Sequence, residues 1–184
     1  MRIKDEIIIL NGHELLLRNA REEDAEMLIQ YLKETTCETK FLINEPEEIT
    51  MTLEEERDFI CYQNESETNL MLLGFYDGEF VGNCAFNGNF KSRYSHRASF
   101  AIALYQKFTG MGIGTAMAKR LLEIAEEKGL EQLELEVVTE NQRAVALYEK
   151  LGFKICGTFP KNMKYKDGTY ADVYLMVKEF EKGC

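Results

Sequence analysis

The sequence predicts a mixed α/β (α+β) fold, a mostly antiparallel central sheet with helices on both faces. Three observations predict it. Two tight-turn dipeptides, Asn11-Gly12 and Asp77-Gly78, each separate two apolar runs of strand length, a strong short-range hairpin signal. Helix-period apolar stripes with capping chemistry lie between and after these hairpins. One strand–helix–strand stretch, residues 98–138, has the length of a parallel crossover. At 184 residues the chain is expected to form one domain, 1–184.

The elements follow in order. Strands 7–10 and 14–18 flank the first turn. Glu22, Glu23 and Asp24 suit the positive end of a helix whose apolar stripe is Ala25, Leu28, Ile29 and Leu32. Residues 37–50 show no period and read as irregular. Thr52 and Glu55 make a capping-box pattern for a helix that carries Leu53, Phe59 and Ile60 to about residue 64. Strands 70–76 and 80–87 flank the second turn, 87–96 reads as a loop, and 98–104 as a strand. Helix 116–128 is closed by Gly129. Strand 133–138 alternates Leu133, Leu135 and Val137 on one face. Asn141 caps a helix through Leu151, which Gly152 ends. Strand 153–159, a turn at Lys166-Asp167-Gly168 and strand 170–177 complete the order β, α, α, β, β, β, α, β, α, β, β.

Composition excludes several classes. Hydrophobic residues make up 45% of the chain and charged residues 29%, with only 2 prolines, which is ordinary globular usage with no linker-like segment. Residues 1–6 lack the apolar stretch of a secretory signal, and the longest apolar run, 70–76, is far too short to cross a bilayer. A cytoplasmic protein with no membrane partner is therefore expected. Cys37, Cys61, Cys84, Cys156 and Cys184 show no paired spacing, and His13 and His96 are the only histidines. That pattern fits reduced thiols rather than a disulfide framework, and no metal site. With 22 basic and 32 acidic residues the net charge is −10, which argues against general nucleic-acid binding and is compatible with a cationic substrate.

Residues 109–115 read Thr-Gly-Met-Gly-Ile-Gly-Thr, directly before a helix, and no Asp or Glu lies between Tyr105 and Leu122. Side-chain-free N–H groups at a helix N-terminus attract anions, so the segment suggests a seat for a phosphorylated ligand. A P-loop needs Lys after its last glycine, and Gly114 is followed by Thr115. A dinucleotide loop needs a glycine register that Gly110, Gly112 and Gly114 do not keep, although Glu134 falls at the expected distance for its acidic residue. A second motif lies one helix and one strand further on, Asn141-Gln142-Arg143-Ala144-Val145-Ala146-Leu147-Tyr148-Glu149-Lys150-Leu151-Gly152-Phe153. The pair resembles the GNAT superfamily of acyl-CoA N-acyltransferases, over about residues 15–180. The layout is similar to the branch of amino-acid and small-molecule acetyltransferases, with protein N-terminal acetyltransferases among its relatives.

The resemblance implies a splayed parallel strand pair, 98–104 and 133–138, with coenzyme A across the opening. Its pyrophosphate would meet the N–H groups of Gly110, Met111, Gly112, Ile113, Gly114 and Thr115. Its pantetheine arm would pair with Ile102, Ala103 and Leu104, and an N–H near Leu104 would polarise the thioester carbonyl. Thr109 stands where the family usually has Arg or Gln, bringing a hydroxyl but no charge. Asn141 and Ala144 would sit beside the coenzyme arm, with Asn141 also an ordinary N-cap. Arg143 and Lys150 are either phosphate contacts or solvated helix charges. Tyr148 matches the family's hydrogen-bond donor to the coenzyme sulfur. A phenol near pKa ~10 cannot readily protonate a thiol near ~8.5 outright, so Tyr148 would first donate a hydrogen bond to the developing thiolate.

The resemblance implies an acetyl-CoA-dependent N-acetyltransferase acting on a primary amine by direct attack in a ternary complex, without a metal. The acceptor would be a small molecule or amino acid, a protein N-terminus being the alternative. A coenzyme A-binding sensor without turnover is a second one. Strand 98–104 carries no carboxylate, so the proton acceptor is open. His96 is one candidate, Glu134 or Glu136 acting through water are others, and an ordered water chain is a further option. Glu38, Phe41, Asp172 and Tyr174 are the expected acceptor-binding residues, with segments 41–45, 87–96 and 160–172 around them. The final strands are expected to offer an edge to a second copy, as a homodimer.

Overall fold

The computed structural model describes residues 1–180; Cys184, one of the expected reduced thiols, lies outside the described residues. Strands β1 (Glu6–Leu10) and β2 (His13–Asn19) form the first hairpin. The hairpin expected over 7–10 and 14–18 forms, and the β that opens the expected order stands for both of its strands. Asn11 at φ 53 and Gly12 at φ 84 supply the two left-handed positions of its turn, as Asp77 (φ 48) and Gly78 (φ 81) do for the second. Helices α1 (Ala25–Glu38) and α2 (Leu53–Glu65) follow. Thr52 caps α2, its hydroxyl accepting from Glu55 N–H at 3.2 Å while the Glu55 carboxylate accepts from Thr52 N–H at 2.7 Å. Helix α1 reaches Glu38, into the stretch expected to be irregular, because its last turn is buried at Thr35 and Thr36, whose hydroxyls are satisfied by the Tyr31 and Leu32 carbonyls.

Strands β3 (Asn69–Tyr76), β4 (Glu79–Gly88) and β5 (Arg97–Leu104) precede helix α3 (Ile113–Glu127). The helix starts earlier than the expected residue 116. Gly112, left-handed at φ 84, is its N-cap, and Ile113 at its first position is wholly buried. Gly114 masked this start in the sequence, since glycine is a poor helix former. Strand β6 (Gln132–Val138), helix α4 (Gln142–Lys150), and strands β7 (Lys154–Lys164) and β8 (Tyr170–Glu179) end the chain's regular structure. Strand β7 runs past the expected residue 159. Its register shifts twice against β8, and the second shift spans Phe159 to Met163. Pro160 is tolerated there because β7 is an edge strand.

All eight strands join one sheet in the order β1-β2-β3-β4-β5-β6-β8-β7. Every pairing is antiparallel except β5–β6. The last strand, β8, is interior, so the edge at this end of the sheet belongs to β7. Helices cover both faces. Along β3, Met71 and Leu73 pack with Ala25, Leu28 and Tyr31 of α1 and Ile60 of α2. Leu70 and Leu72 point the other way, into the core shared with Met117 and Leu121 of α3 and Tyr148 of α4. That two-sided burial explains why β3 reads as an unbroken apolar run rather than an alternating one.

After α1 the chain crosses over the sheet toward its C-terminal half. Phe41 packs against Val138, Ala171 and Val173. Lys40 pairs with Glu140 at 2.7 Å, and Lys166 with Glu47 at 2.6 Å. This segment therefore bridges the two halves of the sheet on the α1/α2 face.

Candidate active site

The parallel pair is short. Its rungs join Arg97, Ala98 and Ser99 to Gln132, Leu133 and Glu134 and go no further. Strand β5 stays paired with β4 up to Leu104, and β6 with β8 up to Val138. Beyond Ser99 the facing edges of β5 and β6 have lost each other as partners. The Arg97–Glu134 ion pair, at 2.7 Å, braces the closed end.

Gly82 bends β4 and β5 together near the open end. At φ 144, a Cβ here would lie 2.3 Å from the Ala103 carbonyl oxygen and 2.7 Å from Leu104 Cα, so only glycine allows the approach. The Tyr31 hydroxyl donates to the same Ala103 carbonyl at 2.7 Å, which occupies one of its lone pairs. Gly114 serves the other face, since a Cβ there would stand 3.2 Å from Leu104 Cδ1. Ile102, Ala103 and Leu104 are thus presented along an edge that runs into the start of α3.

From Gly110 through Thr115, no backbone N–H finds an acceptor among the described residues; the first bonded N–H is that of Ala116, on the Gly112 carbonyl at 3.0 Å. Gly110 and Gly112 both take positive φ, 82 and 84, turning this run into a concave cradle at the positive helix end. Thr109 stands at its rim. Its hydroxyl donates to the Gln106 carbonyl at 2.7 Å and accepts from Arg143 Nη1 at 2.5 Å. The guanidinium missing from position 109 is therefore supplied by α4. Lys107 and Arg120 are engaged elsewhere, Lys107 by Glu79, and Arg120 by Glu6 at 2.8 Å. A cradle of free N–H donors, a cation at its rim and no carboxylate in the run suits a phosphate diester ligand.

Asn141 Oδ1 accepts from Ala144 N–H at 3.2 Å, which fixes the start of α4 beside this rim. One turn on, Tyr148 is 7% exposed and stacks edge-on with Phe100 at 6.1 Å and Phe153 at 5.9 Å. Its hydroxyl has no protein partner among the described residues. Burial pushes its phenol up to about 12, because the anion would lose its hydration. The group is thus a hydrogen-bond donor at every physiological pH.

The remaining expected residues do not form one group. His96 is exposed at the closed end of β5, its carbonyl accepting from Glu131 and Gln132 N–H. It precedes the parallel rungs of Arg97 to Ser99 that close this end, and it makes no contact with Tyr148, Phe100 or Phe153 among the described residues, so it does not join the Tyr148 group. The Glu38 carboxylate accepts from Gln106 N–H at 2.8 Å and so anchors the turn after β5. Phe41 lies on the α1/α2 face with Val173. Strand alternation turns Asp172 and Tyr174 to the opposite face, where Tyr174 lies across from Val137 and packs on the α3/α4 core. The Asp172 carboxylate accepts from Lys161 N–H at 2.8 Å across the β7 bulge. Of the water-relay candidates, Glu134 is held by Arg97 and Glu136 accepts from Asn162 at 3.2 Å.

No motif or spacing in the sequence marks Glu56. It lines a cavity of about 410 Å³ between α1, α2 and strands β3 to β5. Glu56, Ile60 and Gln63 form the buried face of α2, whereas two residues of the stripe expected there, Leu53 and Phe59, are 42% and 43% exposed. A wider hollow of about 760 Å³ lies between α1 and the start of β4, but Lys107 and Glu79 pair with each other across its rim.

A family model described as the acetyltransferase (GNAT) family matches residues 29–153. The chain is 30% identical over 108 residues to L-amino acid N-acetyltransferase AaaT of Escherichia coli strain K12, covering 58% of this chain and 66% of that protein. It is 41% identical over 54 residues to the ribosomal protein bS18-alanine N-acetyltransferase of the same strain, covering 29% of this chain and 36% of that one. The chain thus matches less than two thirds of the length of these relatives. A GNAT-family acetyltransferase from Streptococcus pneumoniae superposes with TM-score 0.86 at 32% identity, covering 91% of this chain and 100% of that one. The yncA structure from Salmonella typhimurium, solved with its cofactor acetyl-CoA, gives TM-score 0.80 at 16% identity, covering 92% and 96%, and shows the fold alone.

Proposed function

The chain belongs to the acetyltransferase (GNAT) family, and on that premise we propose that it transfers an acetyl group from acetyl-CoA to a primary amine by direct attack in a ternary complex. The observation that carries this reading is the continuity of the open β5 edge with the free N–H run from Gly110 to Thr115. One extended ligand with an amide-bearing arm and a pyrophosphate fits both parts, and acetyl-CoA has that form. The N–H run and Arg143 hold the pyrophosphate. Ile102, Ala103 and Leu104 pair with the arm, and Asn141 and Ala144 border it. The N–H expected to polarise the thioester carbonyl near Leu104 lies at the pyrophosphate end of the arm, so that role passes to an open-edge N–H of β5 nearer Ala101, level with Phe100 and Tyr148. The Tyr148 hydroxyl donates to the sulfur as the C–S bond breaks, which requires the neutral phenol that burial maintains.

The acceptor is a primary amine on a small molecule or an amino acid; AaaT, named for L-amino acids, supports the second. The test follows thiol release from acetyl-CoA across a panel of primary amines that includes a peptide N-terminus. Amine-dependent release is expected. Binding of acetyl-CoA without release on any amine would overturn the transferase reading.

A further inference from the structure

We propose that Glu56 is the proton acceptor for the attacking amine, and that its cavity selects primary amines with an apolar body and no carboxylate. This rests on the transferase reading, names its base, and between the two acceptor classes decides for the small-molecule amine against the free amino acid that the likeness to AaaT favours.

The cavity of about 410 Å³ lies on the α1/α2 face of the sheet and reaches β5 at Ala101, two positions past the last parallel rung at Ser99. Alternation along β5 puts Ala101 on that face, while Phe100 and Ile102 face α3 and α4, the side of Tyr148. The amine thereby approaches the thioester carbonyl from the cavity face, while Tyr148 stands on the other face of the open edge.

Two acceptor groups in the cavity lack partners. Glu56 is 5% exposed, and its carboxylate makes no hydrogen bond or ion pair among the described residues. Gln63 is also 5% exposed; its amide nitrogen donates to Asn87 at 3.2 Å, and its Oε1 has no partner. A buried carbonyl without a donor is costly, as is a carboxylate that faces an apolar cavity without one, and an ammonium entering the cavity supplies a donor to Glu56. Burial alone holds the Glu56 carboxyl up at about 7, which matches a base working near neutrality. Of the titratable groups around it, α1 presents Tyr31 and α2 presents Glu55, while β3, β4 and β5 present none.

The substrate class follows from charge. No Lys, Arg or His lines the cavity, whereas Leu28, Leu32, Phe59 and Met71 do. The carboxylate of a free amino acid would enter beside Glu56 without a cation to meet it. In the reaction the ammonium gives one proton to Glu56, and the nitrogen lone pair forms the C–N bond. The C–S electron pair leaves on sulfur, and the second nitrogen proton neutralises that thiolate. Glu56 then releases its proton to solvent, so ammonium and thioester yield amide, thiol and one proton.

The test compares 2-phenylethylamine with L-phenylalanine, which differ by the carboxylate alone, in the wild type, Glu56→Gln and Glu56→Asp. Acetyl-CoA affinity is measured by calorimetry on each. The wild type is expected to favour 2-phenylethylamine in kcat/KM by about tenfold or more, with a rate that rises through pH 7 and levels. Glu56→Gln should keep acetyl-CoA affinity, lose about 100-fold in kcat at pH 7, and show a rate that climbs toward the amine's own ionisation near about 10. Glu56→Asp should recover part of the rate. A Glu56→Gln protein with wild-type kcat and pH profile overturns the proposal, as does preference for L-phenylalanine or failure of both amines in a wild type that binds acetyl-CoA. A wild type that does not bind acetyl-CoA overturns the transferase reading itself.

Discussion

Tyr148 and Glu56 are both titratable groups raised by burial, yet the consequences have opposite signs for their use. The phenol becomes a more secure donor, and the carboxyl becomes a stronger base. Tyr148→Phe removes the donor while leaving the ring packed against Phe100 and Phe153. It should lower kcat by about 100-fold with unchanged acetyl-CoA affinity, read by steady-state kinetics beside calorimetry. For Glu56 the linkage sign is fixed by a folded value of about 7 against an ordinary 4.5. Below pH 4 both states are protonated and nothing is lost. As pH rises through 4.5 toward 7 the unfolded carboxyl ionises first, so folded stability falls and then levels. Glu56→Gln lacks this loss. It should match the wild type at pH 4 and exceed it at pH 8 by about 1 to 2 kcal/mol, less than the full shift at about 1.4 kcal/mol per pKa unit because the carboxylate opens on a cavity, as read from urea midpoints. At the rim of the cradle, Arg143→Ala should weaken acetyl-CoA binding by about fivefold and flatten its salt dependence, because an exposed cation acts largely through screened attraction. The motif singles out Tyr148, whereas no motif marks Glu56, because a glutamate in an acidic helix start looks like dipole compensation until its burial is known.

At the scale of elements, short-range chemistry was read well and long-range contact was not. The hairpin turns, the Thr52–Glu55 capping box and the Asn141 cap depend on neighbours within a few residues, and the sequence contains those neighbours. The start of α3 was misread by a few residues because Gly114 is shaped by its contact with Leu104 rather than by helix propensity. Gly82 is the same kind of residue, and the sequence shows only a glycine beside Val81. Its Cβ would strike the backbone of β5, which cannot rotate aside. Gly82→Ala should therefore destabilise the fold by more than about 2 kcal/mol and weaken acetyl-CoA binding by displacing Ala103 and Leu104; thermal unfolding and calorimetry check the two effects.

The whole molecule is a sheet joined at its middle by one short parallel pair. The two halves are held by that pair, by the common core under α3 and α4, and by the bridging segment with Phe41 and Lys40. The open edge beyond Ser99 should exchange its amide hydrogens readily without ligand, since it lacks ladder partners there. Acetyl-CoA should slow exchange at Ile102–Leu104 and at Gly110–Thr115 while leaving β1 and β2 unchanged, as hydrogen-exchange mass spectrometry would show. Uniform protection, or none, would contradict the placement of the ligand. The sequence by itself determined the α/β class, most element positions, the glycine cradle and the family, because turns, caps and periodicity are local and the two motifs are contiguous. Only the tertiary structure decided which side chains meet. It set His96 at the closed end, turned Asp172 and Tyr174 to the far face, brought Arg143 to Thr109, and left Glu56 buried without a partner. These depend on strand pairing and face, where a shift of one residue reverses every side chain.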